Sequence, residues 1–152
     1  MKKYFRYLLI FSFFSYYIIM ILSGAGWIDR AIRPLELFGV DKFIDIGNSI
    51  YLGTYPSKQR LKEYQRDLGL ERVIVVLYPD MPLSRELTQM EKPILKELGI
   101  EYISIPIPYL SDAPERYEMI KDILNSNPKV TLIHAYMYDK RLERLEYILT
   151  SK

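Results

Sequence analysis

Hydrophobic and polar positions divide the chain into an apolar N-terminal segment and a longer region of alternating character. After a basic start, no charged residue occurs from Tyr7 to Ile28. This span is close to the roughly 20 residues that a helix needs to cross a bilayer. Tyr4 and Trp27 lie near its ends, where aromatic rings favour the membrane interface. The pattern predicts one N-terminal transmembrane anchor over residues 1–28.

The same segment has two other interpretations. Its basic start, apolar middle and small residues Ser23-Gly24-Ala25 also fit a cleaved signal peptide. A buried core helix is disfavoured, because a helix that is apolar on every face needs a much larger protein around it. Basic residues flank the segment almost equally but lie closer on its N-terminal side. We therefore expect an extracytoplasmic domain, whether the segment remains as an anchor or is removed.

Beyond a predicted linker at residues 29–42, strand-like runs alternate with helical periodicity. Strands are predicted at 43–46, 49–52, 72–77, 101–107 and 129–133, and helices near 57–68, 84–98, 112–125 and 141–149. The β-branched run at 72–77 is typical of a strand buried on both faces. Together these elements predict an α/β domain over 43–152, with a mostly parallel central sheet and flanking helices. Ligands of such sheets bind at the carboxyl ends of the strands.

Composition limits the chemistry of this domain. The 152 residues include 21 Lys or Arg and 19 Asp or Glu, so the net charge of +2 gives no case for a nucleic-acid partner. No cysteine occurs, which excludes disulfides, thiolate zinc sites and thiol catalysis. His134 is the single histidine, and the sequence places no cluster of metal ligands around it. We therefore expect no cofactor.

The most informative motif follows the last predicted strand. It reads His134-Ala135-Tyr136-Met137-Tyr138-Asp139-Lys140-Arg141 and leads into a helix. Its spacing resembles the phosphate-binding loop H-C-x-x-G-x-x-R of the cysteine-dependent tyrosine and dual-specificity phosphatases. Other segments resemble small dual-specificity phosphatase domains: Ile50-Tyr51-Leu52-Gly53, Leu68-Gly69-Leu70 and Glu97-Leu98-Gly99-Ile100. The resemblance covers most of the region from 43 to 149 and implies the fold of that superfamily.

The loop departs from the family pattern at three positions. Ala135 replaces the nucleophilic cysteine, Tyr138 replaces the glycine, and Leu142 follows the arginine where the family usually has serine or threonine. In the family, the thiolate attacks phosphorus while loop N–H groups and the arginine hold the phosphoryl oxygens. Covalent catalysis by that route is impossible here. The domain is also expected to be C-terminally short compared with the family.

Two loop residues keep the roles that the resemblance implies. Arg141 is the candidate phosphate-binding residue, because its guanidinium fork can grip an oxyanion at a helix N-terminus. An ion pair with a carboxylate such as Glu143 or Glu146 is the commoner role for such a side chain. His134 is expected to support the loop by hydrogen bonding. Asp139 is expected to point to solvent, since an inward carboxylate would oppose anion binding by like-charge repulsion.

Asp112 is the best match to the family's general acid, which protonates the leaving oxygen. It follows the strand that precedes the third predicted helix. The same residue fits the N-cap of that helix, with Glu115 at the third helical position, and this is the commoner role of such a pattern.

Three functions follow from these residues. The leading hypothesis is a membrane-anchored pseudophosphatase that binds a phosphorylated ligand or a protein partner. The first alternative is an active phosphatase on phosphoprotein or lipid phosphate, with Asp139 or a water activated by Asp112 replacing the cysteine. The second is a structural interaction module, for which Tyr136, Met137 and Tyr138 are suited because aromatic and methionine side chains adapt to protein partners.

Overall fold

The computed structural model describes residues 11, 12 and 15, 42–79, 82–109 and 113–151. Its strands are β1 (Phe43–Gly47), β2 (Ile50–Thr54), β3 (Arg72–Val75), β4 (Glu101–Ser104) and β5 (Thr131–Ala135). Its helices are α1 (Lys58–Leu68), α2 (Pro82–Glu97), α3 (Pro114–Ser126) and α4 (Lys140–Thr150).

The strands form one five-stranded sheet in the order β1-β2-β5-β3-β4. The edge strand β1 is antiparallel to β2, whereas β2, β5, β3 and β4 run parallel. The prediction of an α/β fold with a mostly parallel sheet is therefore confirmed. Because β5 lies at the centre, the loop that follows it leaves the middle of the carboxyl edge, the position where parallel sheets bind ligands.

Each face of the sheet is covered by two helices. Neighbouring residues of β5 point to opposite faces, so Leu132 packs with the side of α1 and α2 and Ile133 with the side of α3 and α4. Leu87 of α2 and Leu142 of α4 are fully buried in the two cores. The strand β3 is buried at every position, as its β-branched sequence predicts.

Local sequence accounts for the ends of several elements. The Ser57 side chain accepts a hydrogen bond from Arg60 N–H at the start of α1. Gly69 ends this helix in the left-handed region, with φ 71°. The β1–β2 hairpin turns through Asn48 and Ser49, whose φ angles are 54° and 62°. Positive φ at both central residues is what a two-residue type I′ hairpin turn requires.

Two predicted helix starts differ from the structure. The second helix was predicted to begin near residue 84, whereas α2 begins at Pro82 and contains Pro93 in its interior. The N-cap position of α3 falls on Ala113, which makes no side-chain cap hydrogen bond. Asp112, the predicted N-cap residue, lies outside the described residues.

The predicted anchor at 1–28 and linker at 29–42 lie almost wholly outside the described residues. Within the described part of the chain, no helix has the length and apolar character needed to cross a membrane.

Candidate functional site

The loop between β5 and α4 joins the centre of the sheet to a helix N-terminus. Its first residues still belong to the strand, because His134 pairs with Gly53 and Ala135 with Thr54 of β2. The His134 carbonyl accepts a hydrogen bond from Val76 N–H at 3.0 Å on the other side. The start of the loop is therefore held between the ends of β2 and β3.

Ala135 lies at the position where the resemblance expects the nucleophile. Its methyl group is fully buried and packs within the core on the side of α3 and α4. Leu142, which replaces the usual hydroxyl residue, is fully buried in the same core. Neither side chain offers a group that could attack phosphorus or assist a leaving group, so both positions serve packing.

Arg141 lies at the start of α4 with only 4% of its side chain exposed. Its Nη1 donates to the carbonyls of Val76 and Ile107, each at 3.0 Å. These carbonyls follow β3 and β4, so one guanidinium edge joins the ends of two neighbouring strands. The ring of Tyr109 lies over the guanidinium, with 3.7 Å from Cζ to the ring centroid.

The other edge of the Arg141 guanidinium faces Asp139. Arg141 Nε lies 3.1 and 3.0 Å from the two carboxylate oxygens, and Nη2 lies 2.6 Å from Oδ2. The carboxylate also accepts the Arg141 backbone N–H at 3.0 Å, as the N-cap of α4. The expectation that Asp139 points to solvent is wrong in direction, because the helix end and the guanidinium both attract its charge, although 26% of the side chain stays exposed.

The His134 side chain is fully buried on the face of the sheet opposite to Ala135, the face that α1 and α2 cover. Its Nε2 lies 2.8 Å from Oε1 of Glu91, a residue of α2 that is itself 1% exposed. This is an ion-pair distance, but the ring nitrogens and the carboxylate have no hydrogen bond of ordinary geometry within the described residues. The ring also meets Tyr55 edge-on, with centroids 5.5 Å apart. The side chain thus contacts α2 and the segment after β2.

Sequence reasoning missed Glu91. Ser84, Leu87 and Leu95 are the other buried residues of this helix, and Glu91 lies in the same stripe at helical spacing. A carboxylate in a core-facing stripe requires a partner, because an unpaired buried charge is costly. That spacing, with a single histidine available in the chain, was the signal that could have found the pair.

Tyr138 occupies the glycine position of the motif without a positive φ, since Asn48 and Ser49 are the non-glycine residues with positive φ in the described part of the chain. Its hydroxyl donates to a Glu146 carboxylate oxygen, and Lys42 Nζ lies 3.6 Å from the centroid of its ring. Burial, and then the Glu146 carboxylate, raise the pKa of Tyr138 far above its ordinary value. This tyrosine therefore fastens the loop to α4.

The structure places His134 and Ala135 at the end of β5 and Arg141 at the start of α4, with the His134 side chain against α2, whereas Asp112 lies outside the described residues. The residues that the structure does describe contain no group of three or more His, Cys, Asp or Glu that could hold a metal ion.

Several solved structures share this fold. A candidate phosphatase (DUF442) from Shewanella putrefaciens has a TM-score of 0.62 and 17% identity, over 78% of this chain and 74% of that one. The core catalytic domain of the PP-IP phosphatase SIW14 from S. cerevisiae, in complex with citrate, has a TM-score of 0.56 and 20% identity. The similarity covers 68% of this chain and 61% of that domain.

A candidate phosphatase from Neisseria meningitidis has a TM-score of 0.56 and 13% identity, over 67% of this chain and 71% of that one. No protein-family model and no curated protein matches the sequence.

The chain shares the α/β fold of these solved phosphatase structures, and it contains no cysteine. The resemblance to phosphatases that the sequence predicted is thus confirmed as a similarity of fold. At these identities the similarity establishes the fold, whereas activity must be argued from the site.

Proposed function

We propose that this protein is a pseudophosphatase, a phosphatase-like protein that binds other molecules without dephosphorylating them. The observation that carries the proposal is Ala135, a buried methyl group at the nucleophile position of a chain without cysteine. The family route needs a thiolate at this place, and no other thiol can replace it.

The alternative of a nucleophile other than cysteine has little support in the geometry. Asp139 would be its nucleophile, but both carboxylate oxygens accept hydrogen bonds from Arg141. A carboxylate whose oxygens are held by these hydrogen bonds is a weaker nucleophile than a free one. The other route, a water activated by Asp112, depends on a residue that lies outside the described part of the chain.

The test is the turnover of an aryl phosphate. We expect the unmodified chain to release no phenolate above the rate of a blank, and Ala135→Cys alone to stay near that rate, because Asp139 still occupies the Arg141 fork. Phosphatase activity that survives repurification and disappears in Arg141→Lys would overturn the proposal. Circular dichroism of each variant shows whether its fold is retained.

The exposed residues at the carboxyl edge of the sheet are suited to bind a protein partner. Met137 is 46% exposed and Tyr109 is 44% exposed, and both lie at the carboxyl edge of the sheet. Methionine and tyrosine are enriched at protein interfaces, where they supply adaptable apolar contacts. A phosphorylated ligand at Arg141 is the second candidate, because the guanidinium edge that binds the Asp139 carboxylate in bidentate fashion could also bind a phosphate group, provided that the phosphate displaces this carboxylate.

We also propose that residues 1–28 tether the domain to a membrane and place it outside the cytoplasm. The uncharged span from Tyr7 to Ile28 and the basic residues before it support this assignment.

A further inference from the structure

We propose that the loop retains an oxyanion site whose resident anion is the protein's own Asp139 carboxylate. An external oxyanion such as phosphate or tungstate would then bind at Arg141 only after this carboxylate is removed. The inference deepens the proposed function, because it concerns the ligand chemistry of a loop that performs no catalysis.

The ion pair between Arg141 and Asp139 has the geometry of a guanidinium that holds a bound oxyanion. Arg141 presents Nε and Nη2, the edge of a guanidinium that binds planar or tetrahedral oxyanions in bidentate fashion. Asp139 meets that edge with both oxygens, at 3.0 Å from Nε to Oδ2 and 2.6 Å from Nη2 to Oδ2, with Oδ1 at 3.1 Å from Nε. Its carboxylate thus fills the place that one edge of an external anion would take.

The N-terminus of α4 also binds the Asp139 carboxylate. Oδ1 of Asp139 also accepts the Arg141 backbone N–H at 3.0 Å in the first turn of α4. Free N–H groups and the helix dipole make such an end favourable for anions. One carboxylate therefore occupies both features that would attract an external oxyanion, the helix end and the Arg141 guanidinium.

Arg141 cannot turn to offer another edge of its guanidinium to an external anion. Nη1 is held by the carbonyls of Val76 and Ile107, and the Tyr109 ring covers one face of the guanidinium. With 4% of Arg141 exposed against 26% of Asp139, the carboxylate forms the solvent side of the pair. An anion arriving from solvent must displace Asp139, which is linked to the site and so competes at a high effective concentration.

The experiment is a tungstate titration of the full chain in detergent, followed by calorimetry and by thermal unfolding. Asp139→Asn removes the charge and keeps a side-chain oxygen for the helix cap. Asp139→Ser keeps a cap oxygen and clears the space in front of the fork. We expect both variants to bind tungstate with a dissociation constant at least tenfold lower than that of the unmodified chain, and with a rise in melting temperature on addition of the anion.

Asp67→Asn is the matched control. Asp67 also pairs with a neighbouring arginine in bidentate fashion, with 2.6 Å from Arg66 Nε to Oδ1 and 2.9 Å from Arg66 Nη2 to Oδ2. That pair is exposed on α1, at 72% for Arg66 and 55% for Asp67. Removal of this carboxylate changes the net charge equally but is expected to leave tungstate affinity unchanged.

Three results would overturn the proposal. Equal tungstate affinity in the unmodified chain and in Asp139→Asn would show that the carboxylate does not compete. A gain in Asp67→Asn as large as in the Asp139 variants would show a general charge effect. Failure of both Asp139 variants to bind tungstate, or to fold, would show that the pair is structural only. Aryl phosphate turnover tests the proposed function separately, since an inactive loop can either bind or reject tungstate.

Discussion

At the scale of single residues, the two side-chain pairs beside β5 differ in their access to water. Arg141 and Asp139 form a pair with a solvent side, whereas Glu91 and His134 are 1% and 0% exposed. A fully buried ionisable pair contributes little net stability, but loss of one member leaves the other uncompensated in the core. His134 is therefore held in place by α2 as well as by its strand.

Leucine at either position of the buried pair should destabilise the fold strongly. We expect Glu91→Leu or His134→Leu to lower the free energy of unfolding by about 3 kcal/mol or more, because each leaves an unpaired polar group in the core. The double variant should lose much less than the sum of the two, which urea unfolding at pH 7 measures.

The control for this pair lies on the same helix. Glu86 is an exposed residue of α2, and Glu86→Leu should change the free energy of unfolding by no more than about 0.5 kcal/mol. Additive losses in the double variant would mean that Glu91 and His134 contribute independently of their contact.

Residue chemistry was only partly predictable from the sequence. The spacing of His134, Ala135 and Arg141, together with the other segments that resemble the family, predicted the fold that the structure shows. The direction of Asp139 was predicted wrongly, because it depends on carbonyls of Val76 and Ile107 that position the guanidinium from distant parts of the chain. Such long-range contacts leave no local pattern.

At the scale of elements, a charged network closes the edge of the sheet opposite the loop. Oε2 of Glu101, at the start of β4, lies 2.9 Å from Arg72 Nε of β3 and 2.9 Å from Lys129 Nζ. The buried Arg72 also donates to the Asn127 carbonyl at 2.8 Å, after α3. The network thus fixes two strand starts and the approach to β5.

This network should make stability depend on pH. Hydrogen bonds from Lys129, and then from Arg72, hold the pKa of Glu101 below its usual range. A lowered folded-state pKa gives stability that is present above the unfolded pKa and is lost as pH falls through the folded value. We therefore expect Glu101→Gln to be less stable than the unmodified chain at pH 7, with the difference shrinking as pH falls below about 4.5, the ordinary glutamate value.

Urea unfolding at pH 7 and at pH 3 measures that difference. Glu97→Gln is the control, because its pair with Lys58 is solvent-exposed at 58% and 39% and such pairs contribute little. A difference between Glu101→Gln and the unmodified chain that is the same at both pH values would contradict the assignment of the pKa shift to folding.

The order and type of the elements followed from hydrophobic periodicity, but their ends did not. The last strand was predicted to stop at Ile133, whereas β5 continues through His134 and Ala135. Pairing with β2 and β3 extends it, and this depends on neighbours that are distant in sequence. The strand predicted at 101–107 ends earlier, at Ser104, and Pro106 beyond it has no N–H to donate to a neighbouring strand.

At the scale of the whole molecule, the chain enters the domain beside the loop. The Lys42 carbonyl accepts a hydrogen bond from Thr54 N–H at 3.0 Å, and Thr54 pairs with Ala135. Lys42 Nζ also lies over the Tyr138 ring. A tether that precedes Lys42 would therefore join the domain at its loop edge and keep that edge on the tethered side.

The tether itself is tested by membrane fractionation of the full chain expressed in bacteria. An uncharged span near the length of a bilayer crossing should keep the protein in membranes through an alkaline carbonate wash. Ile18→Arg together with Ile19→Arg should release it, because arginine near the centre of a membrane helix costs about 2.5–3.5 kcal/mol per residue in insertion measurements. Ile44→Val, in β1 of the domain, is a control that should remain in the membrane fraction.

Intact mass and protease access complete this test. A mass that includes the N-terminal segment indicates an anchor, whereas a mass that begins after Ala25 indicates a cleaved signal peptide. Digestion of the domain by protease added to intact spheroplasts indicates an extracytoplasmic position, since the inner membrane shields cytoplasmic domains. Release of an uncleaved chain by carbonate would contradict the anchor, because an apolar helix that crosses the bilayer is not extracted by high pH alone.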